Sequence, residues 1–239
     1  MANTPSTRNK ILDKYKNLLD TGTNEGLRYN DETKSRYVSF SKCFEHLSKI
    51  DSPIVIELGT CRSFVDGKYE GCNSDDKKYW NKYLYEQWDW GAGCFCLIFG
   101  QLLKDKGMLL TLDLMKSHLD RCKHMMQDLG NLCGYHQGDS VDFLKKTSQK
   151  FDLIYLDTGD MHPIEPTCEL QLEEAKMIVE RGLLNDGGLI LIDDVLNGTP
   201  REQGNTDNRL GKSELSIPYL TKNGYEVIFE GYQYILKKS

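Results

Sequence analysis

The segment Ile54–Thr60, IVIELGT, decides how this chain is read. Apolar, β-prone residues lead to an acid, Glu57, and then to Gly59, where the chain must turn. A buried parallel strand has this composition, and in an open α/β sheet such a strand delivers a ligand-binding loop at its carboxyl end. Glycine lets the backbone approach a ligand closely, and a carboxylate at a strand end accepts hydrogen bonds or meets a positive charge. Taken alone, the seven residues are equally what any buried strand shows before a turn. The reading gains its weight from repetition.

Four later strands end the same way. Met108–Leu112 runs into Asp113, Gly134–Gln137 into Gly138-Asp139-Ser140, Phe151–Leu156 into Asp157, and Gly188–Ile192 into Asp193-Asp194. Periodic apolar positions predict helices over 7–20, 34–49, Cys94–Leu103, Ser117–Leu129, Val141–Thr147, Pro166–Arg181 and Leu215–Lys222. Ser117 stands where an N-cap belongs. Tyr225–Glu230 and Tyr232–Lys237 form a closing hairpin around Gly231. Strand and helix alternate through the centre, which predicts a doubly wound α/β sheet. Any one acid at a strand end is also an ordinary cap or turn former. An ordered set of them predicts a ligand crevice.

A chain of 239 residues fits one domain, 1–239, with a helical cover over 1–50 and an insertion over 61–93. The net charge of −6 gives no general support for nucleic-acid or membrane partners, and neither is expected. The first residues hold no apolar core of signal-peptide length, and no run approaches the ~20 apolar residues of a membrane span. A cytoplasmic location follows as an expectation. The eight cysteines are scattered without CxxC pairs, so reduced structural thiols are expected rather than a zinc site or a disulfide scaffold.

These segments resemble the class I S-adenosylmethionine-dependent methyltransferases over residues 50–237. IVIELGT matches the family's first motif, and LLTLDL the segment whose acid binds the cofactor ribose. GDSVDFL matches the adenine-side loop, and FDLIYLD and GGLILIDD the fourth and fifth strands. The resemblance implies a Rossmann-like seven-stranded sheet with a C-terminal antiparallel hairpin and N-terminal helices. It implies S-adenosylmethionine as cofactor, bound by Glu57, Gly59, Thr60, Asp113, Leu114, Asp139, Ser140 and Asp157. A carboxylate suits two ribose hydroxyls because its oxygens accept from both. One departure stands out. The glycine-rich turn that should follow the first strand is interrupted after Gly59, and Gly91-Ala92-Gly93 completes it only after the insertion. A nicotinamide-binding domain would need GxGxxG directly after the first strand, and IVIELGTCRS lacks it.

The insertion carries aromatic residues, among them Trp88 and Trp90, that would wall a substrate site or pack as a flap. The loop Asn197–Ser213 carries Arg201, Arg209 and Lys212, which suit an anionic acceptor. His162, just after the Asp157 strand end, is the candidate general base for an alcohol acceptor, and Asp157 stands with it as a candidate catalytic residue. Asp157, Asp193 and Asp194 resemble the three-acid site of metal-dependent O-methyltransferases, so Mg²⁺ is a candidate. Those same acids would otherwise simply cap their strands. The expected function is O-methylation of a small polar acceptor, a sugar or a phosphorylated metabolite. N-methylation or non-catalytic cofactor binding are the alternatives. The N-terminal helices would cover the cofactor edge or build a homodimer interface.

Overall fold

The computed structural model describes residues 10–16, 19, 36–60, 77, 95–160, 163–195 and 210–239, with the side chains of 130–132 outside that description. The strands are β1 Ile54–Leu58, β2 Met108–Asp113, β3 Cys133–Gln137, β4 Phe151–Leu156, β5 Leu184–Ile192, β6 Tyr225–Phe229 and β7 Tyr234–Lys238. The helices are α1 Arg36–Ser48, α2 Phe95–Leu103, α3 Lys116–Met126, α4 Ser140–Lys146, α5 Ile164–Glu180 and α6 Ser216–Lys222. They build one seven-stranded sheet in the order β3-β2-β1-β4-β5-β7-β6. Only β7 runs antiparallel, against β5 and β6. The predicted α/β fold is present, with its closing hairpin.

Period-two alternation divides the core between the two sheet faces. Val55, Leu109, Leu153, Tyr155, Leu189 and Leu191 face a layer that includes Phe40, Phe44, Phe95, Phe99, Cys122 and Met126 from α1, α2 and α3. Ile56, Leu58, Leu112, Ile154, Leu156, Ile190 and Ile192 face Leu144, Ala175, Ile178, Ile217 and Leu220 from α4, α5 and α6. Both faces are covered, which is why the central strands are continuously apolar. Rings join α1 and α2 to the sheet: Phe95 stacks on Tyr155 at 4.4 Å between centroids and on Phe99 at 4.1 Å, with Phe40 edge-on to Phe99 at 5.2 Å.

Some boundaries differ from the sequence-based expectation. Ser117 lies inside α3, whose N-cap is Met115 without a side-chain cap bond. The Asp113 carboxylate takes over, accepting from the Met115 amide at 2.7 Å. α3 stops at Met126, and a 3₁₀ turn, Gln127–Leu132, carries the chain to β3. β5 starts at Leu184 because that residue pairs with Phe151 before the register shifts and resumes at Leu189 opposite Leu153. Of the first predicted helix only part is described, and Leu12, Tyr15 and Leu19 there are buried against the first core layer.

The strand order reverses at β1: the chain leaves it for β2 on one side and later returns to β4 on the other. Such a switch point opens a crevice at the carboxyl ends of the strands. Gly59 closes β1 there. Its φ is +83°, and a Cβ on it would collide with the Asp157 carbonyl. Its amide donates to Leu112 O at 2.9 Å, while the Asp157 amide donates to Leu58 O at 2.9 Å, so the turn fixes β1 between β2 and β4. Gly59→Ala, which adds left-handed strain and a backbone clash, should cost about 2–4 kcal/mol in a denaturant-unfolding experiment.

Candidate active site

Alternation along β1 turns Glu57 toward the α2 and α3 layer, where it is fully buried. Its Oε2 accepts from Thr111 Oγ1 at 2.5 Å on the neighbouring strand and from Cys96 Sγ at 2.8 Å on α2. Burial, reinforced by the nearby Cys122 thiol, holds this carboxyl well above the usual carboxylate range. The structure therefore places Glu57 beneath the β1 turn, joining β1, β2 and α2. Ligand atoms of Glu57, Cys96 and Cys122 lie within 4.8 Å of one another. Linear spacing hides this group because β1, α2 and α3 each supply one member.

Asp113 ends β2 beside the Gly59 turn. Its Oδ2 accepts from the Thr60 amide at 3.0 Å, and its Oδ1 faces His118 Nδ1 at 3.1 Å as well as the Met115 amide. The side chain keeps 11% of its surface exposed. Leu114, next in the chain, is 66% exposed on the same rim. Asp139 is exposed and caps α4 by accepting from the Asp142 amide at 2.8 Å. Ser140 turns inward and donates to Glu174 Oε1 at 2.5 Å, while Thr158 donates to Glu174 Oε2 at 2.9 Å. Glu174 on α5 thus clasps the loops after β3 and β4. Sequence reading passed over it, since an acid within an amphipathic helix gives no sign of facing inward.

The acids after β4 and β5 do converge. Oxygens of Asp157, Asp193 and Asp194 lie within 4.8 Å of one another. Two cations that sequence reading did not place there sit among them. Arg36, the first residue of α1, lies across Asp193, with Nε donating to Oδ1 at 3.1 Å and Nη2 to Oδ2. Gln233 Nε2 also donates to Asp193 Oδ1, at 2.8 Å, and Ser39 donates to Gln233 Oε1. Lys212 Nζ donates to Asp157 Oδ1 at 3.1 Å, to Gly159 O at 3.2 Å and to Asp194 Oδ2 at 2.6 Å. Asp194 is the one non-glycine residue at positive φ among those described, +55°, and Tyr232 donates its hydroxyl to Asp194 Oδ1.

Electrostatics separate the three acids. Burial and the neighbouring Asp193 charge push Asp157 up to about 7, against the pull of Lys212. Burial would raise Asp194 as well, but Lys212 and Arg36 hold it down to about 2. Lys212 loses hydration on burial, yet the carboxylates around it raise its ammonium above the ordinary lysine range. Oxygen donors of this kind suit Mg²⁺, which Asp157, Asp193 and Asp194 would hold between them. In this arrangement, however, protein cations already occupy those carboxylates. Lys212 is only 3% exposed and is not a free cation for an anionic acceptor. His162, Trp88, Trp90, Arg201 and Arg209 lie outside the described residues, as does the 61–93 insertion apart from Lys77.

Solved structures share this architecture. The Podospora anserina methyltransferase PaMTH1, bound to SAH, matches with a TM-score of 0.54 and 16% identity over 99% of this chain and 89% of its own. Cofactor-bound Rv0187 from MTB matches with a TM-score of 0.56 and 13% identity over 98% of this chain and 92% of its own. This chain has the class I methyltransferase fold. Neither a family model nor a curated protein matches the sequence. In this methyltransferase fold the Asp113, Asp139 and Asp157 strand ends open on one side of the sheet, and among the described residues no helix is long and apolar enough to cross a membrane.

Glu174 generates a pH prediction. Burial raises its carboxyl from 4.5 to about 7, with Ser140 and Thr158 opposing the rise. The folded state then binds more protons than the unfolded state between those values, so this group's contribution is full below about 4.5 and is lost as pH rises through about 7. Glu174→Gln should remove that loss, gaining on the order of 1–2 kcal/mol over wild type at pH 8 relative to pH 5. Urea unfolding at the two pH values reads the difference.

Proposed function

We propose that this chain is an S-adenosylmethionine-dependent O-methyltransferase acting on a small polar acceptor, a sugar or a phosphorylated metabolite. The observation that carries the reading is Asp113, a largely buried carboxylate at the tip of β2 with 11% of its side chain open to solvent. It stands beside the Gly59 turn at the switch point of a sheet in methyltransferase order. A carboxylate offers about four acceptor sites. The two amides and the His118 ring nitrogen do not exhaust them, so Asp113 can still receive ribose hydroxyls. Asp139, exposed at the end of β3, suits the adenine amino group in the same way.

S-adenosylmethionine, when bound, supplies an electrophilic methyl group on sulfur. Asp157 would take the proton from the acceptor hydroxyl. Its side chain is 24% exposed, whereas that of Asp193 is closed to solvent, and its elevated affinity suits proton transfer near neutral pH. His162, five residues further along the chain, is a second candidate base. Trp88 and Trp90 would wall the acceptor site, and Arg201 and Arg209 would meet its anionic group. The reading is of a cytoplasmic enzyme for small molecules rather than nucleic acids, in keeping with the acidic balance of the chain.

Isothermal calorimetry should detect S-adenosylmethionine binding and none with NAD; binding of NAD alone would overturn the proposal. Asp113→Ala should weaken S-adenosylmethionine binding about 10- to 100-fold through loss of charge-assisted hydrogen bonds. Arg201→Ala and Arg209→Ala should raise the KM of an anionic acceptor about tenfold each while leaving kcat nearly unchanged. Unchanged kinetics in both variants would remove the anionic-acceptor part of the reading.

A further inference from the structure

The group at the ends of β4 and β5 already holds two fixed positive charges. Three carboxylates are met by a guanidinium and an ammonium, both buried. An ammonium has three N–H donors. Lys212 spends them on Asp157 Oδ1, Asp194 Oδ2 and Gly159 O, at 3.1, 2.6 and 3.2 Å. No donor remains for an acceptor phosphate or carboxylate. Asp193 gives both oxygens to Arg36 and one of them also to Gln233. A divalent ion would need Lys212 to withdraw and would still face the Arg36 charge.

Lys212 is built in rather than resting there. It lies in a 3₁₀ turn, Gly211–Ser213, in which all three residues are buried. Ser213 Oγ donates to Gln171 Oε1 at 2.9 Å, and Cys168 Sγ approaches Gly211 O at 3.5 Å, so α5 holds the turn from behind. Gly211 takes a φ of +56°, which lets the backbone deliver the next side chain toward β4 and β5.

We propose that the Lys212 ammonium permanently takes the place of a divalent cation between Asp157 and Asp194, so that this site works without metal. The charge it supplies keeps Asp194 ionised and orients Asp157 toward the crevice; Lys212 is a positioning residue. The catalytic consequence rests on the methyltransferase reading, whereas cation occupancy can be read without turnover.

The test is Mn²⁺ titration of the full chain, followed by electron paramagnetic resonance. Wild type should show no saturable site below about 1 mM, the weak end of oxygen-ligand affinities. Lys212→Met removes the ammonium between Asp157 and Asp194 and should bind Mn²⁺ at least tenfold more tightly, with an Mn²⁺-dependent rise in melting temperature. Adding Asp194→Asn to that variant should abolish the gain. A micromolar wild-type site that Asp157→Asn removes would overturn the proposal, and so would a folded Lys212→Met chain with wild-type Mn²⁺ affinity. The wild-type titration decides even where the variant fails to fold. S-adenosylmethionine calorimetry on the same preparation tells failure of this inference from failure of the methyltransferase reading.

Discussion

Ion pairing at the end of β5 is the constraint on which the surrounding structure depends. Asp193 has no solvent exposure, and a carboxylate in that position is tolerable only with a cation and hydrogen bonds on both oxygens. Arg36 provides the charge in a two-point contact that a lysine could not reproduce. Its guanidinium also lies 5.1 Å from the Tyr232 ring centre. Because the arginine opens α1 while the acid ends β5, the pair fixes where α1 sits on the sheet. The hairpin is fixed by the same group, through Gln233 on Asp193 and Tyr232 on Asp194.

The aromatic layer and the charged group form one construction. Tyr155 stacks on Phe95 through its ring, while its hydroxyl reaches Asp157 Oδ2 at 3.4 Å and receives Gln233 Nε2 at 3.3 Å. An apolar ring thus anchors α2 while a polar tip finishes the network, which is how a tyrosine is used at the boundary of a core. Packing errors under β4 would therefore be felt at Asp157. The turn at Gly59 has a similar double duty, since it clamps β1 to β2 and leans directly on the Asp157 backbone.

The sheet was legible in the sequence because both its faces are buried, so each central strand reads as an apolar run that ends at an acid. Helix existence was legible from periodicity. Helix ends were less so: α3 is capped by Asp113 from β2 rather than by a residue of its own, and no local pattern around Ser117 reveals that. Strand ends place Asp157, Asp193 and Asp194 on one edge of the sheet, and the family resemblance groups the three. Their partners were not legible. Arg36 is 157 residues from Asp193 in the chain, and Lys212 is 55 from Asp157. Lys212 looked like one more cation in a polar loop, because sequence shows charge but not burial. Glu57 presents the converse: its position beside the glycine is visible in the sequence, while its burial between β2 and α2 follows from the strand's alternation.

The position of Arg36 also alters what the helical cover means. A cover over the cofactor edge, or a dimer interface, would be an addition to a site complete without it. Here the sheet alone is not complete. Without α1, Asp193 would lie beside Asp157 and Asp194 with Lys212 as the one nearby cation among the described residues, and like charges this close in a buried setting repel strongly. Solvent would then enter and loosen the β5 end. α1 is therefore part of the chemistry of the crevice, because it brings the charge that allows three acids to sit together. The chain contributes to one carboxylate group from near its beginning and near its end, and the middle supplies the sheet that displays it.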